Sequence, residues 1–370
     1  MLFTRRTPIN PHHPNAGQVR AVFPPFAHVR RWSRAAAVWL PSAAFYLLSL
    51  AAILLTSPWA WPPLILLTSL AAALLFILAH DAAHDVLTPS RWANQLLARL
   101  SFLPAWHPYT GWVHAHNHVH HGWTNFQPRD YVWAPLSLAE YQRLSPVGQA
   151  WVRLCRYWPG FGLYYLVEIL WKKIWLIQPE VKRRKARLRW LADDLLLVVM
   201  LLAQGWGLVV LARYWQTPAP AWAIILAAQV LPMFFCNWFV ALITYLQHTH
   251  PAIPWFQKSA EWSFYLGQVR GTTHTHFPRG INGWIHNVME HTAHHVDPRI
   301  PLYNLPEAQE NLDATHHPVK HVFTWRSFSY TQRVCQLYDF ENHCWLSFGG
   351  EPTSSRTVEL PLVLAKSSFT

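Results

Sequence analysis

The sequence predicts an all-α integral membrane protein: four transmembrane helices in two hairpins, with a cytoplasmic helical cap. Three observations predict it. Only 13% of the 370 residues are charged, against roughly 25% in a soluble protein, while 52% are apolar. Long uncharged stretches come in two pairs. Lysine and arginine gather on one side of the resulting topology.

The first pair lies in Ala35 to Ala79, 45 positions without a charge, and a spanning helix needs about 20 apolar residues. Pro58, Pro62 and Pro63 with Trp59 and Trp61 mark the turn, helix breakers beside interfacial aromatics. The second pair follows Asp194: Leu195 to Ala212, then Tyr214 to Gln247, with Thr217, Pro218 and Pro220 between them. Ala93 to Trp106 and Gly160 to Trp175 are shorter and charge-interrupted, and are expected to lie in the interface. The 23 Trp and 13 Tyr suit headgroup depth.

Six Lys/Arg precede the first span, fourteen lie between the second and third, and nine follow the fourth, leaving only Arg213 for the far side. The positive-inside rule then puts both termini and the large central loop in the cytoplasm. The expected organisation is a basic cytoplasmic segment over 1–34, a membrane catalytic domain over 35–310 and a cytoplasmic tail over 311–370. The net charge of +12, in so apolar a chain, fits an anionic membrane surface rather than nucleic acid. The basic run from Lys182 to Arg189 is expected to stop at the inner leaflet before the third span; docking of an acidic electron carrier is the sharper alternative. The four cysteines form no CxxC pair and are expected to be buried, inert thiols.

Twenty-three histidines are the outlier, and all fall on the cytoplasmic side of this topology. His80 and His84 sit at the exit of the second span, four apart on one helical face. A second cluster runs from His114 to His121. Within it the spacing of His116, His120 and His121 can supply up to three ligands, with His114 and His118 in supporting roles. A third cluster is His291, His294 and His295, again on one helical face, with His286 upstream. His248 emerges where the fourth span ends and can face the same pocket. Asp81 and Asp85 are placed to orient imidazoles through their second nitrogen or to be helix-end charges. A structural zinc closes with four ligands and a catalytic zinc keeps three, so this many imidazoles imply more than one metal in the cap.

Those motifs, HxxxH, a histidine box ending in HH, and HxxHH, set between two pairs of spans, resemble the membrane fatty acid desaturase family over Leu78 to Tyr303. Asp130 to Pro135, the Tyr245 to Pro251 stretch and His286-Asn287 are similar to its omega-6, acyl-lipid branch. The second box reads HNHVHH, and Ala83 replaces the usual first-box glycine. The resemblance implies metal ligands at His80, His84, His116, His120, His121, His291, His294 and His295, with His248 as the ninth and His286 as its rival. His286, His118, Asp81 and Asp85 remain alternatives as ligands or ligand supports.

It further implies two iron ions with dioxygen as co-substrate, and no catalytic residue beyond the metal centre. Dioxygen would be activated reductively, one methylene would lose a hydrogen and its neighbour a second, giving a double bond. The acyl substrate could be free or linked to lipid, CoA or carrier protein. A hydroxylase, or a decarboxylase making a terminal alkene, is the alternative within the superfamily. A membrane electron-transfer or metal-transport protein is the alternative outside it, disfavoured by spans nearly devoid of ionisable groups. With no HPGG motif and no cysteine cluster, an external donor such as ferredoxin with its reductase is implied. His274, His276 and Arg270, with Arg279 nearby, are candidates for a substrate headgroup; Trp238, Phe239 and Tyr245 are candidate tunnel lining. The expected location is a bacterial inner membrane.

Overall fold

A computed structural model describes residues 13–358. Residues 1–12 and 359–370 of the expected terminal segments, and the side chain of Arg279, lie outside the described residues.

Among the described residues, four helices are long and apolar enough to cross a membrane: Trp32–Leu55, Pro58–Ala83, Arg184–Tyr214 and Ala221–His248. The first two pack side by side, the start of the fourth packs on the third, and the Trp61–Ala83 helix also packs along Leu231–His248. Outward faces carry large apolar groups such as Leu202 at 69% and Trp206 at 72% exposure. Water would make that an unusually large apolar patch; lipid makes it ordinary.

Helix bounds differ from the expected ones in a physically sensible way. The third helix begins at Arg184, so most of the basic run lies inside its first turns rather than before it. Lysine and arginine are good helix formers, and no proline interrupts Arg184–Tyr214. Its 31 residues reach about 46 Å at 1.5 Å per residue, well beyond a hydrocarbon core of about 30 Å. It ends at Tyr214, where Gln216 at φ +54 turns the chain and Thr217 N–H caps Ala212 O. The fourth helix therefore starts at Ala221, seven residues later than expected.

Between the second and third spanning helices, Arg91–Phe102 and Tyr109–Val113 are followed by a π-helix at His114–His120 and the turn His121–Trp123. The expected interfacial segment near Gly160 is helical too, as Phe161–Tyr164 continued by a π-helix at Tyr165–Trp175. Gly111 is needed where these segments meet, since a Cβ there would lie 2.0 Å from Ile174 O. Arg99 makes a two-pronged ion pair to Asp193, and Thr110 also donates to Asp193, tying both segments to the third spanning helix.

The described residues are predominantly helical, with two small sheets among them. Thr273–His276 pairs in parallel with Val319–Val322, and Leu337–Asp339 pairs antiparallel with Cys344–Leu346. The expected boundary at 310/311 falls within the Leu305–His316 helix. Beyond it, Tyr338, Phe340 and Trp345 pack with Ile253 and Trp255. All four cysteines are free and buried.

Candidate metal centre

Two groups of imidazoles form where the second and fourth spanning helices end. His80, His84, His116, His121 and His294 make one; His120, His248, His291 and His295 make the other. Within each group one ring nitrogen per residue lies within 4.8 Å of every other.

Local helix type decides the sorting. His80 and His84 are one α-turn apart at the end of their helix and enter the same group. The His114–His120 segment is wound as a π-helix, whose repeat is i to i+5. His116 therefore meets His121, with their Nε2 atoms 3.0 Å apart, while His120 faces the other group. All three histidines expected as ligands in this segment thus enter the two groups, His116 and His121 in one and His120 in the other. On the short His291–Val296 helix, His291 and His295 share one group while His294 points to the other.

Nitrogen atoms converge at ligand-like spacings. His294 Nε2 lies 3.1 Å from His121 Nε2, His120 Nε2 lies 3.1 Å from His248 Nε2, and His291 Nε2 lies 2.8 Å from His248 Nε2. Two nitrogens each ~2.1 Å from one ion and at right angles about it would be about 3.0 Å apart. Hydrogen bonds among the rings do not account for the arrangement. His84 Nε2 and His295 Nε2 are buried with no hydrogen-bond partner, which in a protein interior calls for an explanation such as an ion.

The tautomers agree. His120 Nδ1 donates to Asp130 Oδ1 at 3.0 Å, and His295 Nδ1 donates to Gln268 Oε1 at 2.9 Å. The Gln268 amide is oriented by its own N–H donation to His121 O at 2.8 Å. Both imidazoles thus present an Nε2 lone pair to their group. Burial, and then the neighbouring imidazoles, hold His84, His116, His121, His291, His294 and His295 well below the usual histidine range. Unprotonated rings are what a metal requires.

Supporting residues were only partly anticipated. Asp130, quoted for its motif but given no role, also accepts from the backbone N–H of Asn125 and Val132 at 2.9 and 3.1 Å. Its place ten residues beyond His120, in a polar turn, was the available signal. Gln268 carried no signal, nor did Thr124, whose Oγ1 lies 3.2 Å from His295 Nδ1. Asp81 and Asp85 do not orient imidazoles: Asp81 accepts from the Leu302 backbone N–H at 2.8 Å, and Asp85 pairs with Arg91 at 3.2 Å. His118 is exposed and outside both groups. His286 is outside as well, because φ +54 and +55 at His286 and Asn287 turn the chain so that its Nε2 bonds Ser42 Oγ at 3.0 Å.

Against both groups lies an apolar cavity of about 770 Å³ including its open mouth. His80, His116, His120, His248 and His291 form part of its wall; Phe76, Trp112, Ile169, Ile174, Val240 and Ile243 form much of the rest. Trp238, Phe239 and Tyr245 do not line it. Tyr245 is consumed in packing on Trp133 and Phe161, and Trp238 donates to Trp158 O.

His274, His276 and Arg270 do not line it either. Arg270 donates to His317 O, and the His274 ring lies between Glu290 at 2.5 Å and Asp313 at 2.9 Å. Burial pulls the His274 pKa down, but the bonds to Asp313 and Glu290 outweigh it and lift the value to about 9. That exceeds the ordinary 6.5, so its contribution to stability is complete below about pH 6.5 and is lost as pH rises through about 9. Melting temperatures of wild type and His274→Gln, measured across that window, should converge toward the alkaline end. A gap that stays constant would contradict this role.

The comparisons with known proteins now have a site to explain. The sequence model for fatty acid desaturase matches residues 56–327, nearly three quarters of the chain. The chain belongs to the fatty acid desaturase family. Among its relatives, the chloroplastic omega-6 fatty acid desaturase of Spinacia oleracea is 27% identical over 328 residues, covering 87% of this chain and 66% of that protein. The sn-1 oleoyl-lipid 12-desaturase of a Picosynechococcus strain is 28% identical over 328 residues, 86% of this chain and 87% of its own. The Glycine max chloroplastic omega-6 desaturase is 28% identical and is covered to 65%. The chain thus spans just under two thirds of these plant relatives and most of the cyanobacterial one. All nine imidazoles of the two groups lie within the matched region.

Proposed function

We propose that this protein is a membrane di-iron desaturase that uses dioxygen to introduce a double bond into a fatty acyl chain. The observation that carries the reading is a pair of imidazole groups, five and four, of which His80, His116, His120, His248 and His291 line one apolar cavity. The proposed ligands are His80, His84, His116, His121 and His294 for one iron, and His120, His248, His291 and His295 for the other. When bound, the irons would supply oxidising power sufficient to break an unactivated C–H bond, chemistry that no side chain in the cavity wall can perform.

The chain's own residues do the rest. Asp130 and Gln268 fix the tautomers of His120 and His295. The apolar wall binds methylenes and excludes water, limiting side reactions of the oxidant. Names of relatives favour a lipid-linked acyl group as substrate. Electrons would come from a separate carrier such as ferredoxin with its reductase. The lysine and arginine distribution supports a cytoplasmic site and termini; the membrane proposed is a bacterial inner membrane.

Gas chromatography with mass spectrometry of lipids from cells expressing the chain, beside a His294→Ala, His295→Ala control, tests this. New internal double bonds absent from the control are expected. Unchanged lipids from iron-loaded, membrane-inserted protein would reject the reading, and a terminal alkene or hydroxy acid would change the reaction while keeping the site.

A further inference from the structure

The cavity wall contains one hydroxyl without a hydrogen-bond partner. Of the hydroxyl and amide side chains lining the cavity, four have partners: Tyr164 donates to Tyr131 O, Tyr165 bonds His107, Thr244 donates to Ala241 O, and Gln247 donates to Val288 O. The Tyr131 phenol oxygen is buried and has none. Leaving a buried polar group unpaired is costly, and native structures seldom do so without a ligand, water or function in view. Burial, with the Asp130 carboxylate next, raises the Tyr131 pKa well above the ordinary phenol range. The group is therefore a donor awaiting an acceptor.

Its surroundings say which end of a ligand it meets. The half-buried Lys173 holds its ammonium 5.0 Å over the Tyr131 ring and forms no ion pair among the described residues. Asp130, Tyr165, Glu180 and Tyr164 are the charged or titratable groups felt at the phenol, and Glu180 is 57% exposed where it meets His114. Tyr131 therefore stands where the cavity approaches the charged surface, and imidazoles form another part of the same wall. An acyl chain offers no hydrogen-bond acceptor along its methylenes. Its one acceptor is the carbonyl at the head, beyond which a lipid or CoA carries negative charge.

We propose that the Tyr131 hydroxyl donates to the carbonyl oxygen of the substrate's acyl linkage, with Lys173 facing the anionic group beyond it, so that the position of oxidation is counted from the carbonyl end. The inference rests on the acyl-chain reading above. It places the headgroup by the Tyr165–Trp175 helix, not by His274 and His276.

The test uses the full-length protein in membranes, with iron content measured for wild type, Tyr131→Phe and Lys173→Gln. Acyl substrates that differ by two carbons at the methyl end are supplied as phospholipid, CoA thioester and free acid. In wild type the new double bond should keep its distance from the carbonyl as the chain lengthens. Tyr131→Phe preserves the ring and should raise KM roughly three- to tenfold, the worth of one hydrogen bond, with a smaller change in kcat, and should scatter the double-bond position. Lys173→Gln should weaken the phosphate-bearing forms more than the free acid, and the form converted fastest identifies the headgroup source. A double bond that keeps its distance from the methyl end, or unaltered KM and position in Tyr131→Phe, overturns the inference while leaving the desaturase reading intact. No double bond from any substrate in iron-loaded wild type would instead remove the reading on which it rests.

Discussion

Replacing His248 with alanine should cost more than a hundredfold in desaturation and about half of the bound iron, whereas His286→Ala should spare both. These two histidines competed for one role in the sequence, and the geometry separates them. His248 Nε2 lies 3.1 Å from His120 Nε2 and 2.8 Å from His291 Nε2, at the centre of the four-imidazole group. Alanine there leaves three nitrogens and a void. Changing a residue that merely supports a metal ligand typically costs 10- to 100-fold in affinity or activity, so losing a ligand should exceed that. His286 spends its Nε2 on Ser42 Oγ, and truncation should remove about 1 kcal/mol of stability with no loss of iron. Iron by mass spectrometry, product by gas chromatography and melting temperature, all on the same preparations, separate these outcomes. Full iron in His248→Ala, or depleted iron in His286→Ala, would reverse the assignment.

The spans and the imidazole positions were legible because both are written in composition. An uncharged run of bilayer length has few alternatives, and nine clustered histidines are hard to place without a metal. The partition of those imidazoles between two groups was not legible. It depends on the π-wound His114–His120 segment, and no residue pattern announces an i to i+5 repeat. The roles of the carboxylates were not legible for a related reason. Asp81 adjoins His80 in sequence, but on a helix adjacent residues point about 100° apart, and the Asp81 carboxylate reaches Leu302 instead. Asp130 is ten residues from His120, too far for helical spacing to connect them, yet the turn at Asn125 and Phe126 brings its carboxylate back to that ring. Short-range periodicity finds ligands on one helix; it does not find the partner that a turn returns to them.

Asp130 therefore carries the second large expectation. Asp130→Ala should weaken iron retention 10- to 100-fold against a chelator, with Asp130→Asn falling between it and wild type. The carboxylate, 1% exposed, accepts from His120 Nδ1 and from two backbone N–H groups. Alanine removes all three bonds at once, frees the His120 ring to rotate and to exchange tautomers, and leaves buried donors unpaired at about 1–3 kcal/mol each. Asparagine can still accept through its carbonyl oxygen, but its NH₂ would then face the Asn125 N–H, donor against donor. Loss of stability alone would lower both variants' melting temperatures without singling out the metal. Asp81→Ala controls for this, because it also removes a buried carboxylate beside a proposed ligand, one whose bond goes to the backbone. It should lower the melting temperature with far less effect on iron retention. If Asp130→Ala and Asp81→Ala lose iron equally, Asp130 acts only through folding; if Asp130→Ala alone loses it, the lone pair of His120 is aimed from behind, by a turn that also shapes the Tyr131 side of the cavity.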